Sequence, residues 1–150
     1  MTATFRTSSL GALRQLFATL PAPDAGFRHG FFRASFVGPF WYRIGGFPSV
    51  HLSGLPYWQG KKFLTPDSAT NILKKGDGTV EALSMTVATV PSLIDGQPVV
   101  ALLYGKEAPF PWRHVRDELR VIDERTLLGI TKVDLPILRH FAFPFLLERE

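Results

Sequence analysis

The chain of 150 residues contains no cysteine, which removes disulfides, thiolate nucleophiles and cysteine-bearing zinc sites together. That absence fits a reducing compartment, and the cytoplasm is the expected location. Charge is sparse and unsorted: 17 Lys and Arg stand against 13 Asp and Glu, a formal net charge of +4, and the basic residues are scattered as singlets and Lys pairs. A nucleic-acid module would carry a basic stripe or a reading motif. Neither is present, so no nucleic-acid partner is expected. No apolar run approaches the ~20 residues that span a bilayer, and the first residues lack the basic-then-apolar pattern of a secretory signal. The expectation is a soluble chain with no transmembrane segment. His29, His51, His114 and His140 share no i, i+2 or i, i+4 spacing that would aim two of them at one metal from a strand or helix face. No metal and no cofactor is expected, although His114 and His140 lie beside aromatic clusters, where some small barrels hold haem through one proximal His. No Ser sits in a Gly-X-Ser-X-Gly elbow.

What the chain has in quantity is aromatic surface. Its 13 Phe, 3 Trp and 3 Tyr against 2 Met imply a core of rigid rings, which suits strands better than helices. A chain of this length buries roughly 70% of its extended surface in one core, so one domain over 1–150 is expected. Ser8 and Ser9 precede an apolar stripe at helical spacing, Leu10, Leu13, Leu16, Phe17 and Leu20, with Pro21 behind it. This predicts a short N-terminal helix and linker over 1–28. From His29 to Val37 the period changes to two, with Phe32, Ala34 and Phe36 on one face, which predicts a strand. Further strands are predicted at Tyr57 to Phe63, Thr70 to Lys75, Thr79 to Val90, Val99 to Tyr104, Val115 to Ile122 and Thr126 to Val133. The turn residues Gly76-Asp77-Gly78, Asp95-Gly96 and Asp123-Glu124 reverse a chain tightly, so neighbouring strands should pair antiparallel. Short antiparallel strands in chain order close into a barrel because closure removes exposed edges. The predicted fold is therefore mainly β, an antiparallel meander over 29–133 that closes into a small barrel. Gly38 to Pro56, rich in Gly and Pro yet carrying Phe40, Trp41, Tyr42, Ile44 and Phe47, reads as a lid or plug. The apolar tail over 134–150 reads as a segment packed on the barrel.

Two stretches resemble bacterial proteins in which a GXWXG-type domain of unknown function precedes a companion domain. Leu16 to Gly38 is similar to the family's opening, with the Leu20-Pro21-Ala22-Pro23 break after the helix. Here the strand reads Gly30-Phe31-Phe32-Arg33-Ala34, with Phe in place of the Trp and Ala in place of the second Gly. Tyr57-Trp58-Gln59-Gly60-Lys61-Lys62-Phe63 resembles the family's aromatic-X-Gly-Lys-X-Phe strand. Asp117 to Asp123 with Thr126-Leu127-Leu128-Gly129 is similar to the companion's closing hairpin. The resemblance implies a calycin-like barrel of the lipocalin or fatty-acid-binding-protein kind. It brings no established activity.

An interior lined by Phe32, Phe36, Trp58, Phe63 and Tyr104 would hold a hydrophobic or amphipathic small molecule, with Arg120 or Lys62 near its polar end. Arg120 has two readings. It can stack on Trp58 at the barrel floor, a cation–π contact of ~0.5–2 kcal/mol, or it can meet a ligand carboxylate, and Asp117 or Asp123 would compete for it. His114 with Asp117 or Glu118 is the candidate acid–base group, which would make the chain an enzyme of isomerase, cyclase or hydratase type. A filled barrel that uses its aromatic lid or its tail as a docking face is the third class. The sequence leaves the oligomeric state open.

Overall fold

The tight turns read from the sequence each reverse the chain between antiparallel partners. In the computed structural model, which describes residues 6–149, the order is α1 (Leu10–Ala18), β1 (Gly30–Phe36), α2 (Phe40–Leu52), β2 (Trp58–Thr65), β3 (Ser68–Lys75), β4 (Gly78–Pro91), β5 (Pro98–Leu103), β6 (Val115–Asp123), β7 (Thr126–Val133) and β8 (Phe143–Arg149). The outermost residues of the expected 1–28 and 134–150 segments lie outside that range. Single 3-10 turns occupy Trp112–His114 and Leu138–His140. The strands form one closed antiparallel barrel in chain order, β1 through β8, so the molecule is a mainly β, lipocalin-like barrel with a short N-terminal helix.

One element differs from the expectation, and the lid or plug segment takes a form that local propensity does not announce. The apolar C-terminal segment is not a cover laid on the barrel: β8 is a barrel strand, pairing with β7 on one side and β1 on the other. It lacks the period-two signature because Phe145 and Leu147 face the interior cluster while Leu146 joins the cluster beneath α1, so both faces are apolar. The Gly38 to Pro56 stretch contains a helix of 13 residues, with Gly45, Gly46 and Pro48 inside it. Local propensity opposes a helix there, and packing overrides it. Gly46 lies against the Phe36 ring with no room for a Cβ, and Val50 packs on the interior cluster.

The α1 helix starts where Ser9 Oγ accepts from the Ala12 N–H at 3.1 Å, a side-chain N-cap. Its Leu13 and Phe17 bury against Val99, Leu128, Ile130 and Leu146, and these strand residues point away from the barrel axis because their neighbours Leu127 and Leu147 point inward. Helix α1 thus covers the outer wall. The segment after it crosses one barrel end: Pro21 O accepts from Val121 N at 2.8 Å, and Ala22 and Phe27 pack on the interior. Phe27 stacks on Phe32, and Phe32 meets Phe63 edge-on, filling that end with rings. Arg149 ties it down by donating to Phe27 O and His29 O at 2.7 and 2.6 Å. Helix α2 lies at the opposite end. Tyr42 Oη donates to Pro144 O at 2.8 Å, and Trp112 Nε1 donates to Ser53 O at 2.7 Å, so the helix is tethered to β8 and to the turn before β6. Among the described residues no helix is long and apolar enough to cross a membrane.

Candidate functional site

Under α2 the barrel interior is open. A cavity of 450 Å³ is walled by Phe36, Trp58, Trp112, Val115 and Phe145, with Tyr42 and Gly46 of α2 above it. On its strand wall the polar groups are Lys61, Asp117 and Thr131, with Tyr104 just past the end of β5 and the hydroxyls of Tyr42, Ser49 and Ser53 on the α2 side. A broader depression of 610 Å³ lies outside, between α2 and β1–β2, and it gathers no buried charge.

Lys61 is the centre of the polar group. Strand β2 would present Lys62 inward if it alternated regularly from Trp58, but the β2–β3 register shifts between Trp58 and Gly60. A bulge adds one residue and reverses the parity that follows. Lys61 and Phe63 therefore point inward with Trp58, and Lys62 points to solvent. Gly60 makes the bulge feasible, since a Cβ at its φ of +156° would collide with the Phe32 carbonyl.

The Lys61 ammonium, 2% exposed, donates to Asn71 Oδ1 at 2.9 Å, to Tyr104 Oη at 3.0 Å and, more weakly, to Met85 Sδ at 3.7 Å. It pairs with Asp117 Oδ2 at 3.0 Å. It also lies 5.5 Å from the Trp58 ring centre and 5.4 Å from that of Tyr104. Trp58 Nε1 donates to the same Asn71 oxygen at 3.1 Å. Asn71 Nδ2 donates to Leu83 O and to Tyr104 Oη at 3.3 and 3.2 Å. Thr131 Oγ1 donates to Asp117 Oδ1 at 2.7 Å. Burial alone would push the Lys61 amine down, but the Asp117 carboxylate, with Tyr104, reverses the effect and raises it. Lys61 is therefore held as a cation. Burial pushes the Tyr104 phenol up. It does the same to Tyr42, where the Asp117 charge adds to it. Both phenols keep their protons.

The structure brings Phe36, Trp58 and Tyr104 to the cavity wall. Phe32 and Phe63 are buried in the ring cluster that fills the other end, and Lys62 is on the outer surface. Arg120 is not in the interior. On β6, Asp117 lines the cavity and Leu119 joins the interior cluster, so by alternation Glu118 and Arg120 face outward. Arg120 lies under α1 with its guanidinium 4.5 Å over the Phe17 ring, not over Trp58. It donates twice to Asp95, at 2.7 and 2.8 Å, and to the carbonyls of Phe17, Gln97 and Pro98. All five donors are committed to protein acceptors.

The His114, Asp117 and Glu118 group is not assembled. His114 belongs to the 3-10 turn before β6 and meets the Phe110 ring edge-on, so strand alternation does not reach it. Asp117 faces the cavity, and Glu118 faces outward, where it accepts from Ser92 Oγ at 2.6 Å and Leu93 N at 2.8 Å and pairs with Arg116. Sequence reasoning missed Lys61, Asn71 and Thr131. One signal was present for Lys61. Trp58 and Phe63, five residues apart, can share one strand face only if a bulge lies between them.

A crystal structure of a protein from Thermomonospora curvata has the same fold, with a TM-score of 0.69 at 17% sequence identity over 99% of this chain and 93% of that one. No protein-family profile matches the chain, and no curated protein does. The likeness to the GXWXG-type domain rests on the residues quoted for it alone.

Proposed function

We propose that the chain is a small-molecule-binding protein that holds a hydrophobic or amphipathic ligand in the barrel cavity, its apolar body against Trp58, Phe36 and Phe145 and its polar end at the Lys61 cluster. The observation that carries this reading is the juxtaposition of a 450 Å³ aromatic cavity with a buried ion pair on its wall. Mostly apolar walls with a few fixed polar groups describe sites that orient a small molecule. A barrel interior serving only stability would be filled by side chains, as the Phe32–Phe63 end is. The protonated state of Lys61 favours a role in organising the polar groups around it over that of an amine nucleophile or base.

Nile red titration tests the reading. The expected result is saturable binding of one dye per chain with blue-shifted emission, lost when Val133→Trp, at the cavity wall, fills the space without lowering the thermal melt. Unsaturable binding, or binding that survives in Val133→Trp, overturns it.

A further inference from the structure

We propose that this site, if it binds an amphiphile as argued above, selects one whose polar head is uncharged and both donates and accepts a hydrogen bond, a hydroxyl in the simplest case, over a carboxylate or an ammonium on the same chain. Two independent features lead there.

The first is charge. Among the described residues that line the cavity, Lys61 is the one cation and Asp117 the one anion, and they pair at 3.0 Å with side chains 3% and 4% exposed. The pair is self-neutralised. A carboxylate head entering this space brings a second negative charge to a site whose single positive charge is already matched, and an ammonium head brings the converse. An unmatched charge out of water is strongly disfavoured.

The second is the valence of the hydrogen-bond network. Lys61 has no proton left to give: its three protons are shared among Asn71, Tyr104, the Met85 sulfur and the paired Asp117 carboxylate. Asn71 is also complete: its oxygen accepts from Lys61 and Trp58, and its two N–H groups go to Leu83 O and Tyr104 Oη. Tyr104 accepts from both Lys61 and Asn71, which occupies its two lone pairs and leaves its own hydroxyl hydrogen as the donor. Asp117 accepts once at each oxygen, from Thr131 and from Lys61, and a carboxylate has lone pairs for more. Beside the Lys61 ammonium the residual capacity is one donor at Tyr104 and acceptors at Asp117, both groups 3.0 Å from the same nitrogen, with a further acceptor at the Thr131 hydroxyl. A hydroxyl can accept from Tyr104 and donate to Asp117. A carboxylate accepts from Tyr104 but faces Asp117 with like charge and finds no free proton on Lys61. An ammonium satisfies Asp117 and leaves the Tyr104 donor without an acceptor.

Isothermal titration at pH 7 with decan-1-ol, decanoate and decylammonium separates these cases at constant chain length. The expected result is that decan-1-ol binds at least tenfold tighter than either charged head. Asp117→Asn keeps the shape of the side chain and removes its charge, leaving the Lys61 cation unmatched. In that variant, shown folded by circular dichroism, decanoate should gain tenfold or more relative to decan-1-ol. Decanoate binding the parent as tightly as the alcohol overturns the neutral-head selection while leaving the binding reading intact. Failure of all three to bind overturns the binding reading and the selection with it. An unchanged decanoate-to-decanol ratio in folded Asp117→Asn overturns the electrostatic basis, and the series on the parent chain decides the selection even where that variant does not fold.

Discussion

Lys61 and Arg120 are both buried cations, each paired with an aspartate and each set over aromatic rings, yet they do different things. Arg120 lies outside the barrel wall, and its partners are the Asp95 carboxylate and the main-chain carbonyls of α1, the β4–β5 turn and the start of β5. A guanidinium that joins three segments and has no donor left is a staple, and at the end of α1 it also offsets the negative pole of the helix. Lys61 lies inside, and its partners are side chains, some of which keep hydrogen-bonding capacity toward an open cavity. Burial and ion pairing are common to both cations. What differs is the hydrogen-bonding capacity left on the partners of Lys61 beside empty space.

The comparison breaks most severely at Gly60, the residue that turns Lys61 inward. A methyl group there collides with the Phe32 carbonyl across the β1–β2 pair. Gly60→Ala should lose about 5 kcal/mol or more, enough to unfold a barrel of ordinary stability. Urea melts with far-UV circular dichroism would check this, and a folded Gly60→Ala within about 1 kcal/mol of the parent would show that the bulge does not set the orientation of Lys61.

Asp95 sharpens the other half. Asp95→Ala leaves Arg120 buried with carbonyl partners only, for a loss of about 3 kcal/mol, while Nile red affinity stays unchanged because the outer wall does not touch the cavity. The loss should depend on pH. Hydrogen bonds from Arg120 hold the Asp95 carboxyl below the ordinary carboxylate range, against a smaller opposing effect of burial. A folded-state pKa below the unfolded value means that the stabilisation is complete above about pH 4 and fades as pH falls through the folded value. Stability of the parent and of Asp95→Ala, measured from pH 7 downward, should therefore converge in acid. A constant gap would assign the effect to packing.

The smallest effect is the sharpest on register. Lys62→Met should change stability by no more than about 0.5 kcal/mol and leave Nile red binding as it is, since Lys62 points to solvent. Weakened binding in Lys62→Met would place the wrong lysine in the cavity.

Strand pairing was legible where turn chemistry and alternation agreed, as around Gly76-Asp77-Gly78 and Asp95-Gly96. It was illegible at β8, where α1 covers the outer face and erases the alternation, and where Pro144 sits within a paired strand opposite Ile130. Helix α2 was hidden by its own glycines and proline, whose value lies in the close approach of Gly46 to Phe36. At the site, Trp58 and Tyr104 were readable as apolar residues on strands. Lys61 was lost to a single bulge, because a period-two reading carries every later side chain to the wrong face once one residue is inserted. Arg120 was assigned inward although its neighbour Leu119 takes that face. The contact with Phe17, from an element about a hundred residues away in sequence, together with Asp95 and the Gln97 carbonyl of the β4–β5 turn, gives an arginine a reason to be buried outside the wall.

The barrel's seam between β1 and β8 also bears on how the chain folds. Every other pair joins strands that follow one another along the chain, so those ladders can zip in sequence, the longest link to close being the one between β1 and β2 that holds α2. The β1–β8 ladder joins segments from opposite ends of the chain, and its loop-closure entropy is the largest. Until it shuts, β1 and β8 each present an open edge to other chains. Crowded refolding would thus divert molecules into intermolecular pairing at this seam, and dilution would favour the closed monomeric barrel.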